Sequence, residues 1–122
     1  MQTSPDRQRI GAEAEQRAAA LLEGAGFTVL ERNFRCRAGE LDIVAQRGEM
    51  LVIAEVRLRS HADYGGAAGS ITRAKRDRIV RAARFLLRTQ PALATLAVRF
   101  DILLLSDTDG DIEWIAAAFD AG

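Results

Sequence analysis

Apolar residues recur along this chain in two rhythms, and the switches between them mark out its elements. Ile10, Ala14, Ala18 and Leu21 recur at intervals of four, four and three, the spacing of one helix face. This predicts a helix over 7–24, with Ser4 or Asp6 as N-cap and Gly24 and Gly26 as stop signals. A short strand follows from Phe27 to Leu30, continuing less regularly through Asn33 to Arg37. Leu41–Ala45 and Met50–Leu58 are strands, joined by a tight turn at Arg47-Gly48. The three glycines of His61–Ser70 predict a mobile loop. A long helix is expected over Ile71–Thr89, opening near Ser70 or Thr72, with Pro91 just past its end. Leu96–Leu105 reads as a strand, Asp107–Asp111 as a turn and Ile112–Ala117 as a last edge strand.

Three successive strands favour a meander, and a long helix before the next strand permits a crossover that adds it in parallel. The expected architecture is α/β, in the order αβββαβ with an extra edge strand. It is a mixed sheet of four or five strands with a helix on each face. At 122 residues the length prior is one domain, 1–122, and neither repeats nor a linker break it.

Composition narrows the class. With 48% hydrophobic and 28% charged residues the chain has a soluble globular balance. No apolar run approaches the ~20 residues that span a bilayer, and MQTSPDRQRIGAEAE lacks a secretory apolar stretch. Cys36 is the single cysteine, which excludes an internal disulfide and a multi-cysteine metal site. A cytoplasmic protein without membrane partners is expected. The net charge of zero hides a segregation: Ile71–Phe100 carries +7 and Asp101–Gly122 carries −6. Sixteen of the seventeen basic residues are arginine, and Lys75 is the only lysine.

The two most strand-like runs contain carboxylates. Alternation puts Glu40 and Asp42 on one strand face, and Leu51, Ile53, Glu55, Arg57 and Arg59 together on the next strand. A turn between Arg47 and Gly48 would set Asp42 opposite Ile53 and Glu40 opposite Glu55. Asp42 and Glu55 then become diagonal neighbours, roughly 7–8 Å apart at the backbone. Carboxylates converging on a partly buried face repel, and need a compensating cation or a raised pKa. Arg57 and Arg59 could supply it as a salt-bridge network. A divalent metal such as Mg²⁺ is the other possibility, since it takes oxygen ligands, commonly one or two carboxylates.

The helices add to this picture. Glu15 falls about 140° round the first helix from Ile10, on the flank of the apolar stripe, where it either leans inward or is solvated. On the long helix Arg73, Arg76, Arg81, Arg84 and Arg88 share one broad face, with Ile79, Ala82, Ala83 and Leu86 opposite. Lys75 lies in line with Ile79 and Leu86, pointing at the sheet either as a snorkelling side chain or as part of the carboxylate site. Five arginines on one face suit a phosphate backbone. His61, Tyr64 and Cys36 carry no recognisable constellation, and Trp114 and Phe119 are expected to cover the sheet's last edge.

In order, GAEAEQRAAALLEGAGFTVLERN, GELDIVA, VIAEVRLR, ITRAKRDRIVRAARFLL and VRFDILLL resemble the YraN family of small bacterial proteins. The resemblance spans about Gly11 to Leu105. It implies a restriction-endonuclease-like fold of the PD-(D/E)xK kind, related to archaeal Holliday-junction resolvases. It would make Asp42 and Glu55 the pair that holds Mg²⁺ or Mn²⁺, with Glu15, the first-helix acid, as a further metal residue. Phosphodiester hydrolysis by a metal-bound water would follow, on DNA that includes branched or flapped forms, with RNA as the other nucleic acid. Resolvases are commonly dimers, so a homodimer is one implied assembly. Where the family has the lysine of EVKxR, this chain has Arg57, which stays protonated and cannot act as a general base. Lys75 could take over that lysine's place, giving Glu55, Arg57 and Lys75 as catalytic residues and Arg59, Arg73, Arg76, Arg81 and Arg84 as nucleic-acid contacts. Alternatively the chain is a nucleic-acid-binding module that has lost the chemistry. A third possibility is an interaction protein whose acidic tail meets the basic segment of another copy.

Overall fold

The first helix, α1 (Pro5–Gly24), ends in a glycine cap that the sequence announces. Gly26 sits at φ 94°, and Gly26 N–H and Phe27 N–H donate to the Glu23 and Leu22 carbonyls, the paired bonds of a Schellman motif. Its buried face is Ala14, Ala18, Ala19 and Leu22, with Leu21 only half-buried. The stripe is therefore turned slightly towards Glu15 compared with the expected one through Leu21. The computed structural model describes residues 5–59, 71–106 and 111–121, with the side chains of residues 5–10 and Arg59 left out. The predicted Ser4 cap, the His61–Ser70 loop and nearly all of the Asp107–Asp111 turn lie outside the described residues.

Strands β1 (Thr28–Cys36), β2 (Gly39–Arg47) and β3 (Met50–Arg59) form an antiparallel meander. Helix α2 (Arg73–Thr89) and a 3-10 turn (Pro91–Leu93) carry the chain to β4 (Ala97–Ser106), which pairs parallel to β3. The chain returns antiparallel as β5 (Ile112–Phe119), giving the order β1-β2-β3-β4-β5. This is the expected α/β arrangement, a mixed five-stranded sheet with a restriction-endonuclease-like core.

Each face of the sheet has its own helix. Ala14, Ala18 and Leu22 of α1 pack with Ile43, Ala45, Val52, Ala54, Leu103 and Leu105. Ile79, Ala82, Ala83 and Leu86 of α2 pack with Leu41, Val44, Leu51, Ile53 and Phe100. Strand β4 is covered on both sides, which is why Ile102–Leu105 reads as an unbroken apolar run rather than an alternation. No described helix is long and apolar enough to cross a membrane.

Two local features place the carboxylates. The β2–β3 hairpin turns at Gly48-Glu49, with Arg47 paired to Met50. Gly48 has φ 58° at the first central position, as a II′ turn requires. This corrects the expected turn at Arg47-Gly48 and moves the register by two residues. Val44 faces Ile53, the ladder ends at Ile43–Ala54, and Asp42 comes level with Glu55 instead of with Ile53. On the other side of β2, Asn33 has φ 55° within β1. This kink interrupts the alternation, so Leu41 joins the α2 side with Phe34 while Ile43 stays on the α1 side.

Candidate functional site

Asp42 and Glu55 stand level on adjacent strands where their ladder has ended. Beyond it the Val56 N–H donates to Asp42 Oδ2 at 2.9 Å. Glu55 is buried at 6% exposure and shares the sheet face covered by α2. From that helix Lys75 Nζ reaches Glu55 Oε1 at 2.9 Å. The start of α2 sets this contact: Thr72 is the N-cap, and its hydroxyl accepts from Lys75 N at 3.1 Å, so the first turn is held where the side chain meets the sheet.

The three residues line an open cavity of about 170 Å³ with Glu40, Arg78 and Ile79. Arg78 lies one helical turn beyond Lys75, and its backbone packs against Gly39: a Cβ there would be 3.4 Å from the Arg78 carbonyl oxygen. Glu40 opens onto the cavity but is drawn to Arg35 on β1.

The electrostatics are uneven. Burial, followed by the charge of Glu55, pushes the Asp42 carboxyl from 3.8 up to about 7, against the lowering effect of the Val56 N–H. Glu15 adds a smaller push in the same direction. It is half-buried on α1 and accepts a hydrogen bond from Asn33 Nδ2 at 3.0 Å, across the kink in β1. Glu15 thus acts on the pair from the edge of the site. Among the described residues no three His, Cys, Asp or Glu side chains gather closely enough to hold a metal. The donor set is the Asp42–Glu55 pair, all oxygen, which fits Mg²⁺ or Mn²⁺ completed by water and phosphate.

Arg57 follows Glu55 on the same face of β3, half-buried, and among the described residues it forms no ion pair. The expected arginine face of α2 divides in two. Arg73 and Arg76 border a cavity with Phe119, and Arg76 Nε is buried without a hydrogen-bond partner among the described residues. Arg81, Arg84 and Arg88 border a second, separate cavity with Arg37 and Phe85.

Sequence reasoning passed over three features. Arg78 was detectable from its spacing of three after Lys75. Phe85 stands exposed among arginines on α2. Asp101 in VRFDILLL is fully buried and receives Arg99 Nε and Nη2 at 2.8 Å each, Trp114 Nε1 at 2.8 Å and Ala117 N at 2.9 Å. Trp114 therefore tethers the last strand, while Phe119 stacks on Phe100 at 5.1 Å between ring centres. The two rings lie on opposite faces of the sheet, Trp114 with the α1-side core and Phe119 with the α2-side core, rather than over its edge.

Comparison with known proteins adds a family. The model described as Uncharacterised protein family UPF0102 matches residues 14–105. A UPF0102 protein of Dechloromonas aromatica is 50% identical over 112 residues, covering 91% of this chain and 88% of its own length. Another, from Nitrosospira multiformis, is 46% identical over 114 residues, covering 90% and 92% respectively. A third, from Halorhodospira halophila, is 46% identical over 118 residues, covering 96% and 92%. None of these names states an activity.

Proposed function

The chain belongs to the UPF0102 family, the YraN family its motifs resemble, and from that premise we propose that it is a divalent-metal-dependent nuclease acting on DNA. The observation that carries this is the meeting of Asp42 and Glu55 with Lys75 around one open cavity. Two adjacent carboxylates with a single backbone donor on Asp42 are an unfavourable way to build a core, and a favourable way to receive a cation.

Asp42 and Glu55 would supply the ligand oxygens for Mg²⁺ or Mn²⁺, for which Asp42 would have to be deprotonated. When bound, the cation acidifies a coordinated water and neutralises charge on the scissile phosphate. Lys75 turns its ammonium towards the phosphate and stabilises the negative charge that builds during displacement. Arg57 is a permanent cation beside Glu55 and holds a phosphate oxygen, but cannot accept a proton. The lysine role missing from β3 therefore falls to Lys75, delivered from α2. Arg78 borders the same cavity and steadies the flanking phosphate.

A second reading has its own support in Arg57, which stands where the EVKxR pattern of the YraN family has lysine: a module that binds nucleic acid without cutting it. Cleavage of labelled linear, flap and four-way-junction DNA with Mg²⁺ or Mn²⁺ separates the two. The parent is expected to cut, Asp42→Ala to fall to the protein-free background, and Lys75→Met to lose about 100-fold. Arg57→Lys is expected to cut at least as well as the parent. A parent that binds but never cuts, with Arg57→Lys equally inert, would replace the nuclease by the binding module.

A further inference from the structure

Beyond the acid site, the second basic cavity has a composition that phosphate binding alone does not require. It holds about 480 Å³ and is bordered by Arg37, Arg81, Arg84 and Arg88, with Phe85 among them. None of these four arginines is in an ion pair among the described residues. Four unneutralised guanidinium groups around one cavity repel one another, and an anionic ligand relieves that repulsion. The aromatic ring is the second, independent feature. Phe85 is 40% exposed, yet Phe34 braces it at 6.3 Å between ring centres with the planes tilted by 40°. A large apolar ring held on one side and open on the other is a stacking platform for a planar ligand.

The cavity is also placed to share a strand with the acid site. The tight connection between β1 and β2 borders both: Arg37 and Ala38 line the basic cavity, and Gly39 lines the acidic one. Along α2, Lys75 and Arg78 face the first, and Arg81, Arg84 and Arg88 the second. From Lys75 to Arg88 the helix rises about 20 Å, room for about six nucleotides at duplex spacing and fewer in a stretched strand. A duplex keeps its base faces stacked and offers only its phosphate rails to such a groove, leaving Phe85 unused. An unpaired strand offers both a phosphate track and a free base face.

We propose that the Arg37/Arg81/Arg84/Arg88 cavity, with Phe85 as its stacking surface, binds a single-stranded segment of DNA running along α2 away from the Asp42–Glu55 site. The direction relative to a cut rests on the nuclease reading above, whereas the binding itself does not. Substrates with an unpaired stretch beside the scissile bond, such as flaps, overhangs and frayed junction arms, are then preferred over blunt duplex.

Fluorescence anisotropy in EDTA, with a labelled oligothymidylate and a blunt duplex of equal length, tests the binding without cleavage. Phe85→Leu keeps apolar volume against Phe34 but removes the ring face. It is expected to weaken the single strand about 10-fold and the duplex by less than about 2-fold, with Phe85→Trp restoring the single-strand affinity. Replacing Arg84 and Arg88 together by Gln should reduce the single-strand salt slope by about 1.4. Single-strand binding unchanged in Phe85→Leu, with circular dichroism unchanged, overturns the stacking surface. Tighter binding of oligouridylate than oligothymidylate overturns the assignment to DNA. The predicted binding pattern in a protein that never cuts would leave this site standing and end the nuclease reading. Cleavage that is indifferent to Phe85 and to unpaired DNA would keep the nuclease reading and overturn the strand path from this cavity to the acid site.

Discussion

Two carboxylates lie inside this sheet in opposite circumstances. Asp101 has no solvent exposure and four donors: both arms of Arg99, the Trp114 indole and the Ala117 amide. Asp42 has the Val56 N–H and, facing it, the carboxyl of Glu55. The first is a completed hydrogen-bond network that fastens β5 to the sheet, with Ala117 at φ 52° bending the edge strand so that its amide points inward. The second is left short of positive charge, and its proton is held up to about pH 7. Burial of an acid is thus uninformative until its donors are counted. A saturated carboxylate belongs to the fold, and an unsaturated one beside another acid is a candidate for function.

The largest effect should come from breaking the saturated site. Asp101→Ala leaves the Arg99 guanidinium, the Trp114 N–H and the Ala117 N–H without their acceptor. It is expected to cost about 3–5 kcal/mol in urea unfolding, with β5 amides losing hydrogen-exchange protection first. A loss below about 1 kcal/mol would mean that β5 is held by its apolar contacts alone.

At the Asp42–Glu55 pair the sign reverses. The folded-state pKa of Asp42, about 7, lies above its ordinary 3.8, so between those values the folded chain holds a proton that the unfolded chain has released. In metal-free buffer this group's contribution is fully present below pH 3.8 and is lost as pH rises through about 7. Asp42→Asn, which keeps an acceptor for the Val56 N–H, should be more stable than the parent at pH 8 by on the order of 2 kcal/mol. The difference should close as the pH falls. Parallel stability curves for the two proteins would show that the acids do not oppose one another.

Lys75→Met sharpens the comparison at the smallest cost. Its ammonium is partly solvated while Glu55 is buried, so the unfolding change is expected to stay within about 1 kcal/mol. The informative signal is the carboxyl carbon resonance of Asp42, which should titrate higher once Glu55 has lost its cation. An unmoved titration would detach Lys75 from the acid pair.

Much of this molecule is written in local pattern. Helix spacing and the Gly24/Gly26 stop define α1, and alternation with turn residues defines β2 and β3. Lys75 could be placed towards the sheet because its angular position on α2 matches that of Ile79 and Leu86. Those features depend on near neighbours in the chain, and the acid pair was visible because polar residues interrupt apolar strands.

What the sequence left open depends on pairings between distant segments. A II′ turn at Gly48-Glu49 rather than at Arg47-Gly48 slides the hairpin by two residues, and both turns suit a glycine there. The kink at Asn33 shows its meaning only once Glu15 of α1 lies across it. Asp101 is satisfied only because β5 returns alongside β4, bringing Trp114 within 2.8 Å. Arg37 and Phe85, far apart in the chain, border one cavity because the β1–β2 connection packs beside α2. By itself the sequence determined which side chains could carry charge into the core. Which of those charges are neutralised and which stay exposed to a ligand was decided by the tertiary fold, because electrostatic energy depends on distance and solvent access, which the packing of distant segments sets.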